Sequence, residues 1–269
     1  MCKRLVLFLL IFLVGCATAP ITGRKQFIII DPQTELKLGL EASKEILKKE
    51  KVCQDPRLNA LVKKVGLRIA QATGKDYPWE FWLIDKPEVI NAFCLPGGKV
   101  FVYTGIIPVA ENEAGLATVI GHEVAHAIAR HGAERLSLAL AATFGEALLA
   151  EALNLKDPKT KRIFLAAYGV GATVGVLLPY SRKQELEADH IGLYLMAKAG
   201  YDPRQAISFW ERMAKEAKGP KPPAFLSTHP TNKARIEAIE KLLPQVIPIY
   251  EKNPAKLGAG EKLPPPRCP

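Results

Sequence analysis

Ile120-Gly121-His122-Glu123-Val124-Ala125-His126 decides the reading of this chain. Two histidines stand four residues apart, and a glutamate directly follows the first. On an α-helix, side chains at i and i+4 lie one above the other on one face. Both imidazoles then reach one metal ion, with Glu123 beside it to handle a water. Val119, Ile120, Val124, Ala127 and Ile128 supply the apolar spacing of a buried helix. Arg130, His131 and Gly132 read as its C-terminus, with cations in the last turn and glycine just past the end. Structural helices also carry paired histidines, so the motif needs a third ligand.

The chain has 269 residues, enough for one large domain or two small ones. Apolar residues make up 48% and charged residues 24%, an ordinary globular balance. The net charge is +10. No basic helix with interleaved aromatics and no nucleic-acid module accompanies it, so nucleic acid is not an expected partner. The charge reads as a bias toward an anionic membrane surface. No internal repeat is present.

Lys3 and Arg4 precede the apolar run Leu5 to Val14, the charged and hydrophobic parts of a secretory signal. The run is too short for a comfortable membrane span. It ends in Leu13-Val14-Gly15-Cys16, which resembles a bacterial lipobox, with Cys16 acylated and becoming the new N-terminus. The acyl chains would anchor the protein to a membrane. Ala17 at the next position resembles the outer-membrane-sorted kind of lipoprotein. Residues 1–15 are therefore expected as a signal peptide and 16–32 as an extended tether. Cys53, Cys94 and Cys268 then remain in a compartment that permits disulfides. Three is odd, so at least one thiol is unpaired within the chain. A Cys53–Cys268 pair is one arrangement, and it would staple the tail to the N-terminal helices.

Helical patterns cover Gln33 to Lys49 and Pro56 to Thr73, the second closed by Gly74. Trp79 to Ile84 reads as a strand. Ile90 to Leu95, the turn Pro96-Gly97-Gly98 and Val100 to Tyr103 read as a hairpin. The long helix carrying His122 starts near Asn112. Two apolar stretches come after it. Leu136 to Leu155 carries Glu146 and Glu151, which make a membrane crossing expensive. Ile163 to Tyr180 has no charge and contains Gly171-x-x-x-Gly175, near the length and packing pattern of a span. A single crossing there would put the chain from Ser181 onward on the opposite side from His122. Both stretches are therefore read as buried or interfacial helices. Gly169-x-Gly171 has no preceding strand to make it a nucleotide site.

Ser181-Arg182-Lys183-Gln184 has the form of a capping box. The helix it opens carries Glu185 and Asp189 four residues apart on one face. A zinc site with two histidines needs one more protein ligand, often a carboxylate. Metal-bound histidines usually donate their other N–H to a carboxylate. Glu185 as ligand and Asp189 as its supporting carboxylate meet both needs. An acidic helix start favoured by the helix dipole explains the same residues.

H-E-x-x-H followed by Glu185-x-x-Ala188-Asp189 resembles the zinc metallopeptidase family of the BepA and HtpX proteins, relatives of the CAAX prenyl endopeptidases. Other segments agree. Thr22-Gly23-Arg24-Lys25-Gln26 resembles the opening segment of its lipoprotein or periplasmic members. Asn91-Ala92-Phe93 with Leu95-Pro96-Gly97-Gly98 and Val102-Tyr103-Thr104-Gly105 resembles its active-site edge strand and hairpin. Ser227-Thr228-His229-Pro230 with Arg235 resembles its C-terminal segment. The similarity covers roughly residues 22 to 242.

The resemblance implies an α+β, mostly helical, gluzincin-type core, with a small antiparallel hairpin beside the H-E-x-x-H helix. It implies one Zn²⁺ held by His122, His126 and Glu185, with Glu123 as general base. His229 and Arg235 are candidate oxyanion donors. In BepA-like members the matching histidine can instead fill the metal's open position and hold the enzyme off. Substrate would add as a strand along Asn91, Ala92 and Phe93. His131 and His190 are expected in helix-surface or structural roles. The metallopeptidase domain is expected over 33–243, followed by a proline-rich tail over 244–269. The expected function is a zinc endopeptidase of the bacterial cell envelope, lipid-anchored through Cys16 and facing the periplasm from the outer membrane. Its expected substrates are unfolded or misassembled proteins. A non-proteolytic assembly factor or chaperone using the same groove is the alternative, but a pure binder has no use for Glu123.

Overall fold

The structure, a computed structural model, describes residues 16–144, 157–168, 180–219, 223–230 and 233–268. The expected signal peptide lies outside them. The expected tether does not extend away from the body. Strands β1 (Cys16–Thr18) and β2 (Lys25–Phe27) pair antiparallel, with Ala17 opposite Gln26. Ala19, Gln26, Ile28 and Ile30 are buried. Ile28 and Ile30 join a cluster with Leu38, Phe101, Leu136 and Phe164, a burial that a free tether would forgo.

Helices α1 (Pro32–Lys49) and α2 (Pro56–Thr73) come next, almost at the expected bounds. Each starts the same way. The Asp31 carboxylate accepts from the Thr34 N–H at 2.9 Å, and Asp55 from the Leu58 N–H at 3.0 Å. A proline in each first turn loses no hydrogen bond there. Gly74 ends α2 at φ 66°, a left-handed conformation that favours glycine.

Strands β3 (Glu80–Ile84), β4 (Ala92–Leu95) and β5 (Lys99–Tyr103) form one sheet in the order β3-β5-β4. The hairpin β4–β5 is antiparallel, as expected, but β3 pairs parallel to β5, so the sheet is mixed. The hairpin therefore leaves β4 as an edge strand.

Short helix α3 (Ile107–Ala110) leads into α4 (Glu113–Ile128), the helix of the paired histidines. The Asn112 side chain caps it by accepting from the Gly115 N–H at 2.9 Å. Every residue of α4 is buried. Leu116, Val119, Ile120 and Val124 each contribute about 1.5–3 kcal/mol by leaving water. The helix does not end as expected. Arg130, not Gly132, takes the left-handed position, at φ 56°. Its guanidinium holds that turn, with Nε 2.6 Å from Glu35 Oε2 and Nη2 2.7 Å from the Ile30 carbonyl. Gly132 lies inside the next helix, α5 (His131–Phe144). A Cβ there would stand 2.2 Å from the Tyr168 ring, so this glycine serves packing, not capping.

Helix α6 (Pro158–Ala167) packs on α5, and Leu136, Leu140, Phe164 and Ala167 are buried. The rest of the two apolar stretches, including Gly171-x-x-x-Gly175, lies outside the described residues. Among the described residues no helix is long and apolar enough to cross a membrane.

Helix α7 (Arg182–Lys198) opens with the expected capping box. It lies against α4 at backbone distance. A Cβ on Gly192 would stand 3.2 Å from the His122 nitrogen, and one on Gly121 3.3 Å from the Gly192 carbonyl oxygen. Helices α8 (Gln205–Glu216), α9 (Ala224–Thr228) and α10 (Lys233–Glu251) complete the order. Helix α10 runs past the expected domain boundary, with Pro244 and Pro248 inside it. The remaining tail returns over the start of α4. Leu263 N–H donates to the Glu111 carbonyl at 2.8 Å, and Glu113 N–H to the Glu261 carbonyl at 2.9 Å. Cys268 is disulfide-bonded to Cys53 and Cys94 is free and buried.

Candidate metal centre

His122 and His126 leave α4 one turn apart. Their Nε2 atoms are 3.1 Å from each other. Glu185, in the first turn of α7, brings Oε2 to 3.5 Å from His122 Nε2 and Oε1 to 3.3 Å from His126 Nε2. His229, just past α9, adds a fourth donor. Its Nδ1 is 3.2 Å from His122 Nε2 and 2.9 Å from Glu185 Oε1. All four side chains are buried.

These distances fit a metal ion. Four ligands at about 2.0–2.1 Å from a tetrahedral Zn²⁺ stand about 3.3 Å from one another. The donor set, three imidazoles and a carboxylate, is one that zinc takes. Glu123 Oε1 is buried without a hydrogen-bond partner, as an oxygen facing a metal-bound water is.

The same crowding sets the charges. Burial opposes charge on His122, but Glu185 and Asp189 outweigh it and raise its pKa to about 9. Burial would lift Glu185, yet His229, Arg235 and His122 hold it well below the usual carboxylate range. Burial, with His122 close by, pushes His126 well below the usual imidazole range. Burial lowers His229 to about 4 despite Glu185. Glu123 is pushed up to about 8 by burial, with Glu185 adding to it. Such a carboxyl is suited to exchanging protons near neutrality.

Asp189, on the same face of α7 as Glu185, brings its Oδ1 to 3.0 Å from His122 Nδ1. Arg235 lies behind these groups. Its Nε and Nη2 each reach an Asp189 oxygen at 2.8 Å, its Nη1 lies 2.7 Å from Glu185 Oε2, and its plane covers the Trp210 ring at 3.7 Å. These contacts tie Arg235 to both carboxylates of the cluster. His229 is packed between Phe225 and Tyr180, ring centroids at 4.4 and 4.9 Å, and its Nε2 is 3.4 Å from Glu123 Oε1.

Asn91, Ala92 and Phe93 are not in the cluster. They sit at the start of edge strand β4, buried, with the Asn91 carbonyl accepting from the Tyr103 N–H at 3.1 Å. The Asn91 side-chain oxygen and nitrogen are both buried without a partner. Residue Ile90, just before them, accepts from the Phe225 N–H at 3.1 Å, which hangs α9 on this edge. Cys16 opens β1.

Of the two roles expected for His131, helix-surface and structural, the surface one does not hold. His131 is fully buried. Its Nδ1 is 2.8 Å from His126 Nδ1, and its Nε2 is 2.8 Å from Glu187 Oε2. Tyr180 stacks on His126 at 3.8 Å between centroids, under the Arg135 guanidinium. Glu187 and Arg135 carry no expected role, and Tyr180 reads only as the end of an apolar stretch. The contact of His131 with His126 depends on the left-handed turn at Arg130, and arginine is no turn signal. His190 is partly exposed and lies outside the cluster.

The sequence matches peptidase family M48 over residues 54–243. It is 41% identical over 231 residues to the mitochondrial metalloendopeptidase OMA1 of Schizosaccharomyces pombe, covering 84% of this chain and 66% of that one. It is 35% identical over 263 residues to the mitochondrial metalloendopeptidase OMA1 of Saccharomyces cerevisiae, covering 87% and 71%. It is 27% identical over 245 residues to the beta-barrel assembly-enhancing protease of Escherichia coli, covering 88% and 49%. The chain thus spans between 49% and 71% of the length of these relatives.

Proposed function

Because the chain belongs to peptidase family M48, we propose that it is a zinc-dependent endopeptidase of the bacterial cell envelope, acting on misfolded or misassembled proteins. One observation carries the catalytic part. Four buried donors lie within 4.8 Å of one another, and Glu123 stands beside them with an unpartnered oxygen.

Zn²⁺ held by His122, His126 and Glu185 would supply a Lewis acid that acidifies water and polarises a peptide carbonyl. Glu123 Oε1 takes a proton from the attacking water and passes it to the leaving amine. Asp189 accepts from His122 Nδ1 and so keeps that ring's Nε2 lone pair for the metal. Arg235 fixes both Asp189 and Glu185. An unfolded segment adds beside β4, pairing its backbone with the edge at Asn91 to Phe93, a binding mode that tolerates many sequences.

His229 would fill the fourth ligand position of a bound zinc and so keep the centre closed. The segment carrying it is tied to the same edge through Phe225 N–H and the Ile90 carbonyl. A strand added at Ile90 competes for that carbonyl. Substrate arrival and withdrawal of His229 are thereby opposed to the closed arrangement at one point.

Localisation rests on Lys3, Arg4, the apolar run and Cys16. Since β1 begins at Cys16, a lipid there would hold the folded body within a few residues of the membrane surface. A non-proteolytic chaperone would leave the buried Glu123 without a use.

The test is zinc content and casein cleavage by the wild type, Glu123→Gln and Glu185→Ala. The wild type is expected to hold one zinc and to cleave. Glu123→Gln should keep the zinc and lose about 10²–10⁴-fold in rate. Glu185→Ala should lose the zinc. Full activity in Glu123→Gln would sink the mechanism, and a wild type that binds casein and zinc without cleavage would favour the chaperone.

A further inference from the structure

The two histidine ligands are supported differently. His122 meets a carboxylate directly, through Asp189. His126 meets none at its Nδ1. That nitrogen faces another imidazole nitrogen, His131 Nδ1, at 2.8 Å. Two nitrogens at this distance must share a proton, with one donating and the other accepting. The far side of His131 settles which. Its Nε2 lies 2.8 Å from Glu187 Oε2, and an ionised carboxylate only accepts. A neutral His131 therefore donates from Nε2 and accepts at Nδ1. His126 must then donate from Nδ1, and its Nε2 is left with a lone pair facing Glu185 and His122.

Glu187 is itself held from a distant part of the chain. Arg24 Nε is 2.5 Å from Glu187 Oε2, and Thr22 Oγ1 donates to Glu187 Oε1. The other edge of Arg24 makes two 2.9 Å contacts with Glu134, which also accepts from Gln184 Nε2 at 2.7 Å. Gln26 Nε2 donates to the Ala129 carbonyl at 2.7 Å, at the end of the metal helix. The segment between β1 and β2 thus closes on α4, α5 and α7 together. These groups are buried or nearly so, where a charge-assisted hydrogen bond is stronger than in water.

We propose that His131 and Glu187 are positioning residues that fix the tautomer and orientation of the ligand His126, and that Arg24 of the N-terminal segment holds their carboxylate in place. The segment that follows Cys16 is then a working part of the metal centre. This inference rests on the metallopeptidase reading, because it takes His126 as a ligand.

The test measures zinc affinity of the full chain in detergent, by competition with a chromogenic chelator, together with the visible spectrum of the cobalt-substituted protein. His131→Leu removes the acceptor. It should bind zinc about 10–100-fold more weakly, the usual loss when a supporting partner of a ligand is removed. His131→Asn places an amide oxygen where Nδ1 was and should restore affinity to within about threefold of the wild type. Arg24→Met should weaken binding by about threefold or more and shift the cobalt spectrum, and Arg24→Lys should recover part of both. A folded His131→Leu chain that binds zinc as the wild type does would overturn the proposal. Should His131→Leu fail to fold, wild-type affinity and spectrum in Arg24→Met would overturn it instead. A wild type that binds no zinc would remove the metallopeptidase reading itself, a distinguishable result.

Discussion

Asp189 Oδ1 lies 3.0 Å from His122 Nδ1, on the side of the ring opposite the nitrogen that faces Glu185. Arg235 grips the same carboxylate through two 2.8 Å contacts. Three buried side chains on α4, α7 and α10 are thus joined, and each satisfies the next. Removing the arginine leaves Asp189 and Glu185 with too few partners. Arg235→Met should destabilise the metal-free protein by about 3–5 kcal/mol, the cost of breaking a buried pair from one side. Urea unfolding measures it. In the Asp189→Asn background the same change should cost less, because the charge it strands is gone.

Metal uptake should release a proton. Without a cation, His122 is raised to about 9 and so carries its proton at pH 7. A ligand imidazole must be neutral. Zinc binding therefore expels about one proton near pH 7, and apparent affinity should rise about tenfold per pH unit from pH 7 toward 9. Calorimetry in two buffers of different ionisation enthalpy detects the release. Identical heats in both would contradict it.

His229→Ala should open the fourth position. Cleavage of an unfolded protein is expected to rise about threefold or more, since the competent state no longer competes with the closed one. The initial rate on casein at matched zinc occupancy reads this out. A large fall would assign His229 to the transition state instead.

Reduction of Cys53–Cys268 should lower stability without emptying the metal centre. The bond closes a loop with a sequence separation of 215 residues. A cross-link of that span stabilises by about 2–5 kcal/mol. Thermal unfolding with and without a phosphine reductant gives the difference, and zinc stoichiometry should stay constant across the pair.

Much of this arrangement is legible in local signals. Pro56 and Gly74 bracket one helix, Pro96-Gly97-Gly98 marks the hairpin, and the i, i+4 spacings of His122 with His126 and Glu185 with Asp189 mark the centre. Each is a short-range effect of capping, turn preference or helical period. The parts that escaped depend on contacts between distant segments. Nothing near Trp82 tells that β3 will lie parallel to β5. Thr22 and Arg24 read as polar residues of a tether until Glu187 arrives from α7. The tail is rich in proline and gives no periodic pattern, yet it is laid across Glu111 and Glu113 by backbone hydrogen bonds.

The glycine pair between α4 and α7 has a consequence for how near the two helices can stand. His122 follows Gly121 directly, and Asp189 precedes Gly192 by one helical turn. The two helices are therefore gauged against each other by bare backbone, with contacts of 3.2–3.3 Å awaiting any added methyl. Alanine at either position would force the facing backbone to give by a few tenths of an ångström. The approach of the two helices is kept by two hydrogens, acting as a feeler gauge between them.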